Sequence, residues 1–130
     1  MKRKRLPSLA RLTRKLDRLF AAWIRGRDAP NGMGRCISCG DWARLQAGHF
    51  IKRQHRATRW NEFNVNGQCA RCNHFLHGND GAYCMALIHW YGKAKVDELM
   101  ALCVQLKAQL AEARQQHAQL ATVLVEQAVA

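Results

Sequence analysis

Apolar side chains at Leu9, Leu12, Leu16, Leu19, Phe20, Trp23 and Ile24 recur three and four residues apart, the period of one helical face. Arg11, Arg14, Lys15, Arg18 and Arg25 fill the opposite face. Pro7-Ser8 is a start signal, so the pattern predicts an amphipathic helix reaching about Arg27. Asp28-Ala-Pro-Asn-Gly-Met-Gly34 is a loop by its Pro and Gly content. Two short stretches, 42–51 and 61–66, have strand character and flank a basic segment, 52–59. Asn79-Asp80-Gly81 interrupts the next apolar run and can cap a helix ending at Tyr91, with Gly92 as its stop. From about Ala94 to Val129 nothing interrupts a helix. Leu99, Cys103, Leu106, Leu110, Ala113, His117, Leu120 and Leu124 alternate spacings of four and three, a heptad seam weakened at Ala113 and His117. Such a helix either packs back on its own domain or pairs with a second copy as a homodimer.

These elements define a small α+β chain of 130 residues. A basic arm and helix occupy 1–28, a cysteine-bearing core 29–79 and a helical tail 80–130. Charge sharpens the division. The chain carries a net +12, of which residues 1–72 hold +13 and residues 73–130 hold −1. The first half is therefore suited to a polyanion, and the second to scaffold or interface. No apolar run approaches the roughly 18 residues of a membrane span. The start, Met1-Lys-Arg-Lys-Arg-Leu-Pro7, lacks an apolar signal core, so a cytoplasmic location is expected.

Six cysteines are present. Cys36-Ile-Ser-Cys39-Gly40 and Cys69-Ala-Arg-Cys72-Asn73 form two C-x-x-C pairs with 29 residues between them. Each pair offers two thiolates to one tetrahedral Zn²⁺, and a reducing compartment disfavours disulfides. Gly40 suits the tight turn after the first pair. Cys36, Cys39, Cys69 and Cys72 are thus the expected ligands of a structural zinc. Cys84 and Cys103 have apolar neighbours and are read as buried thiols. Two strands between the pairs, followed by a helix opening at the second pair, is the order of a treble-clef zinc module.

In such a module His49 on the first strand, Asn64 on the second and Asn73 at the helix start face one cleft. A histidine there can act as a general base near neutral pH. The Asn64 amide can hold the His-bearing strand, and an oxygen ligand at the helix start could bind Mg²⁺ or Mn²⁺ beside a phosphate. The combination suits phosphodiester hydrolysis by one metal and one histidine.

The layout Cys-x-x-Cys…His…Asn…Cys-x-x-Cys-Asn resembles the HNH (His-Me finger) endonucleases with a structural zinc. More narrowly, it resembles the NinG/Rap recombination endonucleases of lambdoid phages. The stretches that carry the resemblance are Ile24-Arg-x-Arg-Asp28, Cys36-Ile-Ser-Cys-Gly40, Ala47-Gly-His-Phe50, Arg59 through Cys69, Cys72-Asn73 and Gly78-Asn79, with Tyr83 beyond. The resemblance implies an HNH-like ββα-metal core. It also implies a phage- or prophage-encoded nuclease acting on branched DNA such as displacement loops and Holliday junctions. By position, His49 is the base, Asn64 the hairpin asparagine and Asn73 the third HNH residue. Many HNH enzymes place Asp before the catalytic His, where this chain has Gly48. His74, His77, Asn79 or Asp80 are the candidates to complete a metal set with Asn73. Larger relatives also carry a cysteine-bearing N-terminal segment, where this chain has its basic helix.

Lys52, Arg53, Arg56 and Arg59 are expected to track phosphates beside the cleft, joined by Arg44 and Arg71. Trp42 and Trp60 are expected to pack rather than to stack on bases. The competing expectation is a zinc-dependent DNA-binding recombination module without catalysis, which Gly48 keeps open. A zinc finger for protein interaction alone is disfavoured by the front-loaded charge.

Overall fold

Ser8 opens the first helix, its hydroxyl accepting the Arg11 amide at 3.3 Å. The computed structural model describes residues 7–129 of the chain. The basic arm expected over residues 1–5 lies outside the described residues. Helix α1 spans Leu9–Asp28, as the periodicity predicts. Most of its apolar stripe is uncovered: Ile24 is fully buried, while Leu9, Leu12, Leu16, Leu19 and Trp23 remain exposed. The helix docks through its C-terminal end. The Asp28 carboxylate accepts the Gly67 amide at 2.7 Å, and Arg27 donates to the Val65 carbonyl at 3.2 Å and to Asn66 Oδ1 at 3.0 Å.

The stretch 42–51 is not one strand. Trp42–Ala43 (β2) pairs antiparallel with a two-residue strand, Gly34–Arg35 (β1), inside the expected loop. This ribbon frames Cys36 and Cys39, with Gly40 at φ +77° in the turn. Leu45–His49 (β3) then pairs antiparallel with Val65–Cys69 (β4), Leu45 opposite Cys69 and His49 opposite Val65. The second strand therefore begins four residues later than the expected 61–66. The cause is local: Asn61 Oδ1 accepts the amides of Phe63 and Asn64 at 2.9 and 3.2 Å, holding 61–64 in a turn. Asn64 consequently sits just before β4 rather than within a strand.

Past β4 comes a single π-helical turn, Arg71–Phe75, instead of a continuous helix from Asn73. His77, Gly78 and Asn79 follow with φ of +50°, +105° and +47°, which reverses the chain. Helix α2 covers Asp80–Tyr91 and helix α3 covers Lys93–Val129, with Gly92 between them. Tyr83, Leu87 and Val96 form the core of this helical pair, backed by Ile37 and Phe50 from the zinc-side half. Burial of each large apolar side chain there contributes about 1.5–3 kcal/mol. The Tyr83 hydroxyl donates to the Gly48 carbonyl at 3.0 Å, which ties α2 to β3. Cys103 is buried, 3.6 Å from Thr58 Oγ1, but Cys84 is only half-buried. Trp42 is 65% exposed and does not pack as expected, while Trp60 is half-buried.

The heptad seam divides in two. Val96, Leu99 and Cys103 are buried against the chain's own body. From Lys107 to Ala128 every residue is exposed, so about 33 Å of α3 extends past its packed part. No helix among the described residues is long and apolar enough to cross a membrane.

Candidate functional site

The four expected zinc ligands converge. The sulfur atoms of Cys36, Cys39, Cys69 and Cys72 all lie within 4.8 Å of one another. A tetrahedron with zinc–sulfur bonds of about 2.3 Å has edges of about 3.8 Å. The Cys39–Cys69 separation is 3.8 Å. The donor set fits Zn²⁺. Two further contacts orient the sulfurs: the Cys72 amide donates to Cys69 Sγ, and Asn79 Nδ2 donates to Cys72 Sγ, both at 3.4 Å. Asn79 thus serves the metal knuckle rather than capping α2 with its side chain. Burial opposes ionisation of Cys36, yet the backbone amides of Cys39, Cys69 and Ser38 bring its thiol down to about 7.

Beside this cluster lies an open cleft of about 610 Å³. Gln46, Ala47 and His49 of β3 form its floor, Asn73, His74, His77 and Gly78 one wall, and Ala21 and Arg25 of α1 the other. Lys52 and Arg53 close its end. The structure thus brings His49, Asn73, His74 and His77 together. Arg25 and Gln46 belong to the same cleft and were not singled out in the sequence.

His49 Nε2 lies 3.0 Å from the Arg59 carbonyl oxygen. A carbonyl only accepts, so Nε2 carries the proton and Nδ1 keeps the lone pair. Burial lowers the His49 pKa below its ordinary 6.5, and the nearby Arg53 and Arg59 charges push the same way. The imidazole is therefore neutral at pH 7, with one basic nitrogen. Asn73 donates from Nδ2 to Gln46 Oε1 at 2.8 Å, which leaves its amide oxygen for a ligand.

Asn64 does not line the cleft. It is fully buried under the basic loop. Its oxygen accepts the Ile51 amide at 2.7 Å, and its nitrogen donates to the Ile51 and Thr58 carbonyls at 3.0 and 2.9 Å. That one side chain fixes both ends of the loop between His49 and β4.

Gly48 has a steric reason. A Cβ placed there would meet Gln68 Oε1 at 2.1 Å. Gln68 is fully buried, and its amide nitrogen donates to Ser38 Oγ and the Gly78 carbonyl, each at 2.6 Å. An aspartate at 48 would have to displace this bridge between the zinc knuckle and the cleft wall. The place of the absent carboxylate is filled, not empty.

The basic residues fall into two groups. Arg44, Arg53, Arg56 and Arg71 are exposed. Lys52 donates to Asp80 Oδ1 at 2.7 Å and to the His77 carbonyl at 2.9 Å. Arg59 is about four-fifths buried in a fork with Asp17 of α1. Two charges of the loop thus meet acids from distant parts of the chain. His74 and His77 are exposed on the cleft wall.

Comparison with known proteins agrees with the motifs. Proteins named "Protein ninG" from Escherichia phage lambda and Salmonella phage P22 are each 40% identical over 78 residues, and the one from Escherichia phage 933W is 39% identical over the same length. These matches take in 58% of this chain and 36% of each relative, so the chain spans about a third of the length of the curated relatives it matches. No solved structure matches it. The family profile described as "Bacteriophage Lambda NinG protein" matches residues 1–126, and the chain belongs to that family.

Proposed function

We propose that the chain is a metal-dependent, structure-selective DNA endonuclease with an HNH-like treble-clef core, acting on branched recombination intermediates in the host cytoplasm. One observation carries the reading: a neutral, single-tautomer His49 sits in an open cleft rimmed by Arg25, Lys52 and Arg53. His49 Nδ1 takes the proton from the attacking water, and the cations around it hold the scissile phosphate. Arg44, Arg56 and Arg71 extend the phosphate track. The Asn73 amide oxygen is the donor the cleft offers a cation, with His74 and His77 on the same lining, while the Asp80 carboxylate is held by Lys52. A Mg²⁺ or Mn²⁺ held there would keep most of its waters. Such an ion would neutralise charge developing on the leaving oxygen.

The test is cleavage of synthetic four-way junctions and displacement loops with Mg²⁺ or Mn²⁺, against an EDTA control. Nicking that requires the metal and exceeds that of a linear duplex is expected. The second reading, a zinc-dependent DNA-binding module without catalysis, is favoured by Gln68 filling the carboxylate position beside Gly48. Salt-sensitive junction binding with no cut in any metal would establish it and remove the nuclease.

The exposed half of α3 supports pairing of two copies, since Leu110, Leu120 and Leu124 of the seam stand open to solvent. Two cuts in a symmetric junction need two cleavage sites, which such a homodimer supplies. Light scattering is expected to give twice the chain mass, and Leu120→Lys to halve it. A parent protein that runs as a single chain at every concentration removes the dimer.

A further inference from the structure

We infer that Asp17 of α1 is a positioning residue for His49, acting through the Arg59–Trp60 segment. The inference rests on the nuclease reading only for its effect on rate. Its geometric part stands without it.

Asp17 is the one acid of α1 before its terminal Asp28, in a helix that carries Arg11, Arg14, Lys15, Arg18 and Arg25. Its carboxylate is saturated by one segment of the loop. Arg59 Nε donates to Oδ1 at 2.8 Å, Arg59 Nη2 to Oδ2 at 2.6 Å, and Trp60 Nε1 to Oδ1 at 3.0 Å. Two-pronged arginine–carboxylate contacts are among the strongest and most directional in proteins. Both side chains are about four-fifths shielded from solvent, so the pair is weakly screened. The Arg59 hydrogen bond holds the Asp17 carboxyl below its ordinary range, against a smaller opposing effect of burial.

The far side of Arg59 is what matters for chemistry. Its carbonyl oxygen is the acceptor for His49 Nε2 at 3.0 Å. Arg59 Nη1 also donates to the Arg53 carbonyl at 3.0 Å, which ties two points of the basic loop together. With the side chain clamped to α1 and the carbonyl turned to His49, α1 sets the tautomer and aim of the imidazole. A free loop would let the carbonyl rotate away. The ring would then sample both neutral tautomers, and Nδ1 would carry a proton part of the time. The clamp thus reassigns Arg59 from phosphate tracking to positioning.

The experiment uses the full zinc-loaded chain with ¹⁵N-labelled histidine. Long-range ¹H–¹⁵N correlation reads the His49 tautomer directly, with no need for activity. The parent is expected to show the Nε2–H form alone, and Asp17→Asn a mixture. Junction cleavage by Asp17→Asn is expected to fall on the order of 10- to 100-fold with junction affinity unchanged. Asp17→Glu, which keeps the charge and both oxygens, is expected to recover part of the rate. An Asp17→Asn protein with the parental tautomer and rate overturns the proposal. So does tighter junction binding with an unchanged tautomer, which would make Asp17 a shield for a phosphate-binding arginine. If Asp17→Asn does not hold zinc, Arg59→Lys breaks the same fork from the other side at constant charge. A parental tautomer in that variant overturns the proposal as well. If the tautomer responds as expected but the parent itself cuts no substrate, the clamp stands and the nuclease reading falls.

Discussion

His49→Ala is expected to slow cleavage of a four-way junction by roughly 10²- to 10⁴-fold, the usual contribution of a general base. Zinc content and junction affinity should stay at parental values. The separation of effects follows from where His49 sits. Its ring bonds to the Arg59 carbonyl and is not part of the four-cysteine cluster, so its loss should leave the metal knuckle intact. The cleft cations that would hold the phosphate, Arg25, Lys52 and Arg53, are separate side chains that the substitution leaves in place. The pH profile gives a second check. Burial lowers the His49 pKa, and a base works only when unprotonated. The parental rate should therefore rise with pH through the acid range and level off below 6.5, the ordinary imidazole value. A His49→Ala protein that cuts as fast as the parent would remove His49 as the base. A plateau reached only well above 6.5 would contradict the buried, neutral ring.

How much of this site was legible in the sequence depends on the range of each interaction. The two C-x-x-C pairs fixed four ligands because metal geometry constrains residue type and spacing together. Helix α1 was legible from its period and from Ser8, both local signals. The strand at 61–66 was misplaced because Asn61 holds a turn that only its side-chain bonds reveal. The exposure of α1's leucines was not legible for another reason. Amphipathic periodicity says which face is apolar, not whether anything covers it. Asp17 was the least visible. Its partners lie 42 and 43 residues away, and only the docking of α1 beside the hairpin brings them together. Gly48 was legible as a departure but not as a consequence, since the side chain that excludes a carboxylate comes from the facing strand at Gln68.

Removing zinc is expected to dissolve the cleft while sparing part of the helical tail. The buried cluster on the strand side consists of Ala29, Cys36, Leu45, Cys69 and Cys72. Three of those five belong to the four-cysteine cluster that fits zinc, so without a metal this half would retain little apolar core. Structural zinc sites contribute about 10–16 kcal/mol in apparent binding free energy. That matches or exceeds the whole stability of a typical domain, about 5–15 kcal/mol. The cleft is coupled to the metal through specific bonds. Cys69 ends β4, and Cys72 sits in the same turn as Asn73. Asn79 bonds the Cys72 sulfur, and the Gly78 amide bonds the Cys72 carbonyl at 2.8 Å. The wall carrying His77 and Gly78 is thus hung on a zinc ligand. Helices α2 and α3 have their own core at Tyr83, Leu87 and Val96, to which the zinc-side half adds only Ile37 and Phe50. A strong chelator should therefore abolish near-ultraviolet dichroism and junction cleavage together, while much of the far-ultraviolet helical signal remains. Cys72→Ser should reproduce that state without chelator. Cys84→Ser should not, because Cys84 lies outside the ligand cluster. Co²⁺ added to the stripped parent should restore the fold with the visible bands of a four-thiolate site. A metal-free protein that keeps its hairpin and near-ultraviolet signal would show that packing alone holds this half, and the zinc assignment would fail with it.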